Sequence, residues 1–199
     1  DKALIQKLKP LEVSVSKVAS NVTSIGVNSG ENSKSFDNLS FLCEKIIKAG
    51  IDRKSILIAF GGGVIGDLTG FVASILLRGI NFIQIPTTML AQVDSSIGGK
   101  TGINSIFGKN LIGSFHQPIA VLSDTTILNS LNSREILSGY AEVIKHSLIQ
   151  DKNFFLWLEE NGKKVIKGNN KLRTECIIRA CKIKSDIIKK DEFEFGQRA

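Results

Sequence analysis

Apolar positions follow one rhythm along the first two thirds of this chain and another along the rest. Ser55-Ile56-Leu57-Ile58-Ala59-Phe60 is a short, nearly unbroken apolar run, the mark of a buried strand. Asn81 to Ile85 reads as a second strand, ending at Pro86-Thr87-Thr88, and Ala120 to Ser123 as a third buried strand. Between them the spacing is helical. Leu39, Leu42, Cys43, Ile46 and Ile47 give residues 37–49 one apolar face, closed by Gly50, and Ile65 to Leu77 reads as a helix buried on most sides. Upstream, residues 2–9 read as a helix end stopped near Pro10; Val13, Val15 and Val18 fit a short strand, and 26–36 is polar and loop-like. Alternating strands and helices predict an α/β fold with a parallel sheet. From Ser133 on, strands disappear: 134–149, 151–160 and 171–190 are amphipathic helices by pattern. A domain boundary falls near residue 127, dividing an α/β part (1–127) from the start of an all-helical part (128–199).

Two stretches break the patterning. Gly61-Gly62-Gly63-Val64-Ile65-Gly66-Asp67 follows the first strand and opens a helix, and Gly61, Gly63 and Gly66 satisfy G-x-G-x-x-G. Strand, glycine turn and helix in that order make a phosphate cradle: glycine admits a pyrophosphate to the backbone, and the helix start offers unpaired N–H groups. The acidic ribose partner expected about 20 positions on is missing, since nothing acidic lies between Asp67 and Asp94. The ribose must be held from elsewhere. Gln92 to Asn104 crowds polar, charged and glycine residues with no apolar face, as an active-site loop does.

Lys100, Lys109 and Asn110 sit in glycine-rich stretches between buried strands, where lysine is a natural partner for phosphate or carboxylate. The alternative is a pair of solvated loop lysines. Glu142, Lys145 and His146 share one face of a helix. A solvated ion-pair face explains them as well as chemistry does. Glu142 and His146 also have the spacing of a helical metal pair, but two ligands do not complete a site. His116, before Gln117-Pro118, reads as a loop or structural histidine.

Composition narrows the field. A chain 42% hydrophobic and 23% charged is an ordinary globular protein, and no apolar run reaches the ~20 residues of a membrane span. The net charge of +7 comes from scattered lysines not interleaved with aromatics, so an anionic small molecule accounts for it better than nucleic acid. Cys43, Cys176 and Cys181 share no C-x-x-C spacing and read as reduced thiols of a cytoplasmic protein.

Together, GGGVIGDLTGFVAS, IQIPTTMLAQVDSSIGGKTGIN, GKNLIGSFHQP and GYAEVIKH resemble 3-dehydroquinate synthase, a sugar phosphate cyclase family of the shikimate pathway, nearly unbroken from Ser55 to Ile149. The resemblance implies a parallel-sheet NAD-binding domain followed by a helical domain carrying most of a divalent zinc- or cobalt-type site. It implies a sugar phosphate substrate, 3-deoxy-D-arabino-heptulosonate 7-phosphate, and a homodimer. By position, Ser29, Gly30, Glu31 and Lys34 would hold the NAD ribose side, supplying the missing acid. Gly62, Gly63, Val64, Ile65, Gly66 and Asp67 would cradle the pyrophosphate beside Thr87 and Thr88, and Lys109, Leu128 and Ser130 would also touch the cofactor. Asp94 would lie at the cofactor–substrate junction. Lys100, Asn110 and Lys145 would bind substrate, with Lys100 also near the cofactor. Arg78 would reach a neighbouring subunit's phosphate site, and Glu142 would be the metal ligand, with His146 not a ligand.

The chain departs from the family at Asn129-Ser130-Leu131-Asn132, where Thr-Leu-Pro is usual. The family's two histidine ligands lie past Ala199 and its opening strands before Asp1, so the resemblance implies a central fragment, inactive alone. Other readings are a cyclase for another sugar phosphate, a metal-dependent alcohol or glycerol-phosphate dehydrogenase, and an NAD-binding remnant. Gly98-Gly99-Lys100-Thr101-Gly102 and Gly108-Lys109-Asn110 favour the shikimate enzyme.

Overall fold

A computed structural model describes residues 1–196; Gln197, Arg198 and Ala199 of the closing stretch lie outside them. Three parallel strands form the sheet, in the order β1 (Ile56–Gly61), β2 (Asn81–Pro86), β5 (Ala120–Val121). Helix α2 (Phe36–Lys48) and helix α3 (Gly63–Ile75) bury Leu39, Leu42, Ile46, Leu68, Phe71 and Val72 against β2's Phe82. This is the parallel α/β arrangement that the alternating pattern predicts.

Three local expectations are corrected. Pro10 lies inside helix α1 (Ile5–Val15) and does not end it. No residue of α1 is buried, so the carbonyl deprived of its partner stays within reach of water. Val13 and Val15 belong to that helix and Val18 is exposed; their alternation meets no sheet to join. The third strand is only the two residues of β5 at the sheet edge, with Val121 exposed, before the chain leaves into a 3-10 turn, Thr125–Ser130.

The polar stretch 92–113 is more ordered than a loop. Ala91–Ser95 is a π-helical turn, in which Ser96 N–H reaches back five residues to the Ala91 carbonyl. β3 (Lys100–Ser105) and β4 (Gly108–Phe115) then form an antiparallel hairpin that lays Thr101 and Ile103 against α3 and the core.

Helices α4 (Ser133–Gln150), α5 (Lys152–Ile166) and α6 (Asn170–Ile188) match the three expected from spacing. Each opens on a side-chain cap: Asn132, Asp151 and Asn169 accept from the N–H groups of Glu135, Phe154 and Leu172. Their core, around Val143, Phe154, Val165, Cys176 and Ala180, also takes in Met89 and Val93, so the π-helical turn is anchored in the helical part. Among the described residues no helix is long and apolar enough to cross a membrane.

Candidate active site

Strand β1 delivers the chain to Gly62, the extended N-cap of α3 (φ −77°, ψ −170°), and no side chain caps it. The amides of Ile65 and Gly66 turn back to the Gly62 carbonyl, leaving the first N–H groups of the helix directed outward. Thr87 donates its N–H to the Gly61 carbonyl at 2.9 Å, fixing the end of β2 beside the turn. The space is closed down for bare backbone: a Cβ on Gly63 would lie 2.8 Å from Ser95 Oγ. So the glycine turn abuts the residue next to Asp94.

Asp94, on the π-helical turn, is gripped from the helical part. Lys184 Nζ of α6 donates to Asp94 Oδ1 at 2.6 Å and to its carbonyl at 2.5 Å. The buried His146 of α4 places Nε2 3.7 Å from the same Oδ1. Burial alone would raise the Asp94 pKa; the facing His146 imidazole and the Lys184 ammonium outweigh it and hold the carboxyl well below the usual range. Glu142, one turn before His146, pairs with Lys145. That hydrogen bond raises the Lys145 pKa against a smaller effect of burial. The carboxylate oxygens of Asp94 and Glu142 and a ring nitrogen of His146 lie within 4.8 Å of one another, and His146 Nδ1 is buried with no hydrogen-bond partner among the described residues. Two carboxylates and an imidazole suit a zinc- or cobalt-type ion.

A second cluster gathers on the other side of α3's start. Lys34, almost fully buried, donates to Asp67 Oδ2 at 2.7 Å and makes a short bond to Asn110 Oδ1. Glu31 lies 3.9 Å from Lys34 and accepts from Asn104 Nδ2 at 2.9 Å. Burial pushes the Asp67 carboxyl up, and Lys34 only partly opposes it. Asn110 is held in a left-handed conformation (φ 57°) by its N–H to Asn104 Oδ1. These contacts bring Glu31, Lys34, Asp67 and Asn110 together across three segments that are distant in sequence.

The other expected residues are spread wider. Lys100 pairs with Glu194, and Lys109 is exposed on β4. Ser29 donates to Asp1 Oδ1 at 2.6 Å beside Gly30, whose φ is 101°. Thr88 accepts from Ala91 N–H and starts the π-helical segment. Leu128 is enclosed in the helical core, while exposed Ser130 accepts from Lys7 Nζ at 2.5 Å. Arg78 is exposed, with φ 66° after Leu77 at 50°, beyond the far end of α3, about 18 Å of helix from the glycine turn. His116 is structural: Nε2 meets the Ile80 carbonyl at 2.9 Å and the ring stacks on Phe82.

Lys184 escaped the sequence reading. Its signal was a lysine on the stripe Arg173, Ile177, Ala180, Cys181 and Lys184, otherwise the inward face of α6. Gln92 is fully buried and bridges the Pro86 and Asp124 carbonyls, tying β2's end to the 3-10 turn.

The sequence and the fold both match known proteins. Residues 24–138 match the family described as 3-dehydroquinate synthase N-terminal, and 139–199 the one described as 3-dehydroquinate synthase C-terminal. The chain is 52% identical over 192 residues to the 3-dehydroquinate synthase of Bartonella quintana (strain Toulouse), covering 96% of this chain and 51% of the relative. It spans about half the length of the curated relatives it matches. Among solved structures, a 2-epi-5-epi-valiolone synthase from Streptomyces hygroscopicus subsp. jinggangensis 5008, with NAD+ and Zn2+ bound, matches at TM-score 0.92 and 24% identity over 98% of this chain and 56% of its own. A 2-deoxy-scyllo-inosose synthase complexed with carbaglucose-6-phosphate, NAD+ and Co2+ matches at TM-score 0.84 and 26% identity over 97% of this chain and 53% of its own. With both halves matched by one family and half its residues shared with that family's curated members, the chain belongs to the 3-dehydroquinate synthase family.

Proposed function

We propose that this chain is the central part of an enzyme that converts 3-deoxy-D-arabino-heptulosonate 7-phosphate to 3-dehydroquinate and phosphate. The observation that carries the proposal is the contact between the glycine turn and the Asp94 segment. Ser95 packs on Gly63 while Asp94, beside it, faces Glu142, His146 and Lys184. The glycine turn and the Asp94–Glu142–His146 cluster thus share one wall, the arrangement that a cofactor-dependent oxidation of a hydroxyl requires.

In this reading Gly62 to Asp67, Thr87 and Thr88 bind the NAD pyrophosphate. Ser29, Gly30, Glu31 and Lys34 hold the ribose side, with Lys109 and Ser130 completing the cofactor contacts; Leu128, enclosed in the helical core, takes no part. Glu142 holds the divalent ion, and the donors of Asp94 and His146 lie close enough to share it. A divalent ion held there would polarise the substrate hydroxyl and lower its pKa, and NAD on the glycine turn would supply reversible hydride transfer. Asp94, kept ionised by Lys184, orients that hydroxyl between cofactor and ion. Lys100, Asn110 and Lys145 meet the carboxylate, hydroxyls and phosphate of the substrate. Oxidation permits loss of phosphate; the ketone is then reduced, the ring opens and an intramolecular aldol step closes the carbocycle, with no net redox change. Arg78, remote from its own glycine turn, serves a neighbouring subunit's phosphate site in a cytoplasmic homodimer. The cofactor-binding part runs to about residue 127 and the helical part follows; the described piece alone is inactive.

The test is phosphate release from the heptulosonate phosphate by the full-length protein with NAD and zinc. Release of phosphate without accumulation of NADH supports the synthase. Accumulating NADH identifies a dehydrogenase, and NAD binding without phosphate release overturns the proposed substrate.

A further inference from the structure

Arg173 stands at the start of α6, only 3% exposed, and among the described residues no carboxylate pairs with it. A buried cation without a counter-charge is costly unless its donors are met. Here all its partners are neutral acceptors from two other elements. Nε donates to the Val165 carbonyl at 3.2 Å and Nη2 to the Ile166 carbonyl at 3.1 Å, both in the last turn of α5. Nη1 donates to Asn129 Oδ1 at 2.9 Å, in the 3-10 turn Thr125–Ser130. Gly168, with φ 92°, leaves the guanidinium its room: a Cβ there would lie 3.3 Å from Nη2.

Helix electrostatics do not explain a cation at this position in α6. The first turn of a helix is its positive end, so Arg173 works against the dipole of its own helix and answers that of α5. Capping α5 would need only the two carbonyl contacts. The third arm reaches a different segment, and the next residue repeats the choice: Thr174 Oγ1 meets Thr125 Oγ1 at 3.0 Å. Neighbouring residues of α6 therefore pin both ends of the 3-10 turn. Further along the same helix, Cys181 Sγ donates to the Gln92 carbonyl at 3.2 Å and Lys184 grips Asp94. One rigid helix sets the distance between the 3-10 turn and the π-helical turn.

We propose that Arg173, acting through Asn129, is a positioning residue for the cofactor: its planar fork fixes the Thr125–Ser130 turn so that the exposed Ser130 meets bound NAD. This rests on the cofactor reading above. Arginine suits the task because its three-way fork is rigid, where a lysine offers one flexible point charge.

The test uses the full-length protein, with NAD affinity measured by calorimetric titration well below the melting temperature and stability measured alongside. Asn129→Ala removes one exposed acceptor and leaves α5 capped; it weakens NAD binding about five- to tenfold with little change in melting temperature. Asn129→Asp keeps an acceptor for the guanidinium and holds the affinity within about twofold. Arg173→Met weakens binding at least as much as Asn129→Ala; should it fail to fold, the Asn129 pair decides. Wild-type affinity in Asn129→Ala overturns the proposal, as does equal weakening in Asn129→Ala and Asn129→Asp. Absence of NAD binding by the unsubstituted protein overturns the cofactor reading, and this proposal falls with it.

Discussion

Gly139→Ala separates two physical effects of opposite sign. In a helix interior, replacing glycine by alanine stabilises by about 1 kcal/mol, because alanine loses less backbone entropy. Gly139 lies on the buried face of α4, and a Cβ there would sit 2.6 Å from the Met89 carbonyl carbon and 2.4 Å from the Leu90 nitrogen. Carbon atoms meet at about 3.5 Å, so the methyl overlaps Met89 by about 0.9 Å. Both contacts are backbone, which cannot rotate away. Overpacking of this kind costs about 3 kcal/mol, leaving a net loss of about 2 kcal/mol. In a full-length protein about twice as long as this chain that lowers the melting temperature by about 2–4 °C. The displacement also falls on the candidate site: Glu142 and His146 follow on the same helix, and Met89–Leu90 lead into the π-helical turn that carries Asp94. Calorimetric melting of the full-length protein without metal reads the first effect. Titration with Co²⁺, followed by its visible absorption, reads the second, with affinity expected to fall about tenfold. A melting temperature at or above that of the unsubstituted protein refutes the close approach, since propensity alone would then have decided.

Lys184→Met should lower stability at pH 7 by about 2 kcal/mol, since it removes a charge-assisted hydrogen bond to a largely buried carboxylate. Because the folded-state pKa of Asp94 is depressed, this stabilisation is complete above the unfolded value of about 3.9 and is lost as pH falls through the folded one. The melting-temperature gap between the two proteins should therefore narrow below about pH 4; a constant gap down to pH 2 would show that the pair is not responsible. Phe154→Ala empties a site with no solvent exposure and removes the ring under Arg179, so urea unfolding should show a loss of about 4 kcal/mol. A loss under 1 kcal/mol would contradict the packing. Burial pushes the thiols of Cys176 and Cys181 up to about 12 and about 11. At pH 8 an aromatic disulfide reagent should leave both unlabelled in the folded protein and label all three cysteines in denaturant; rapid labelling of Cys176 without denaturant would refute its burial.

Much of this protein was legible in its sequence. The unbroken apolar run of β1, the glycines after it and the periodicity of α2 to α6 are local signals, and local signals survive without neighbours. Hydrophobic spacing therefore located the parallel strands, the glycine turn between β1 and α3 and the helical half, and the long motifs indicated the family. Patterning misled wherever the partner was distant. Val13 and Val15 alternate like a strand, but a strand needs a neighbour, and among the described residues none pairs with them. The Lys100–Phe115 stretch looked like loops because its glycines hide the alternation of Thr101 and Ile103. Only pairing across the hairpin and packing on α3 order it. The π-helical turn had no visible signature, since Gln92 and Lys184, which hold it, lie 92 positions apart in the sequence: one reaches β2 and the 3-10 turn, the other comes from α6.

 The same holds for the charges. The sequence determined which residues are acidic, basic or imidazole and which helix carries them. Tertiary structure alone decided that Lys34 spans Asp67 and Asn110, that Lys184 and His146 converge on Asp94, and that Arg173 reaches Asn129. The physical reason is range: backbone propensity and hydrophobic period act over a few residues, whereas an ion pair or a buried hydrogen bond forms only between groups that the packed core brings within about 3 Å.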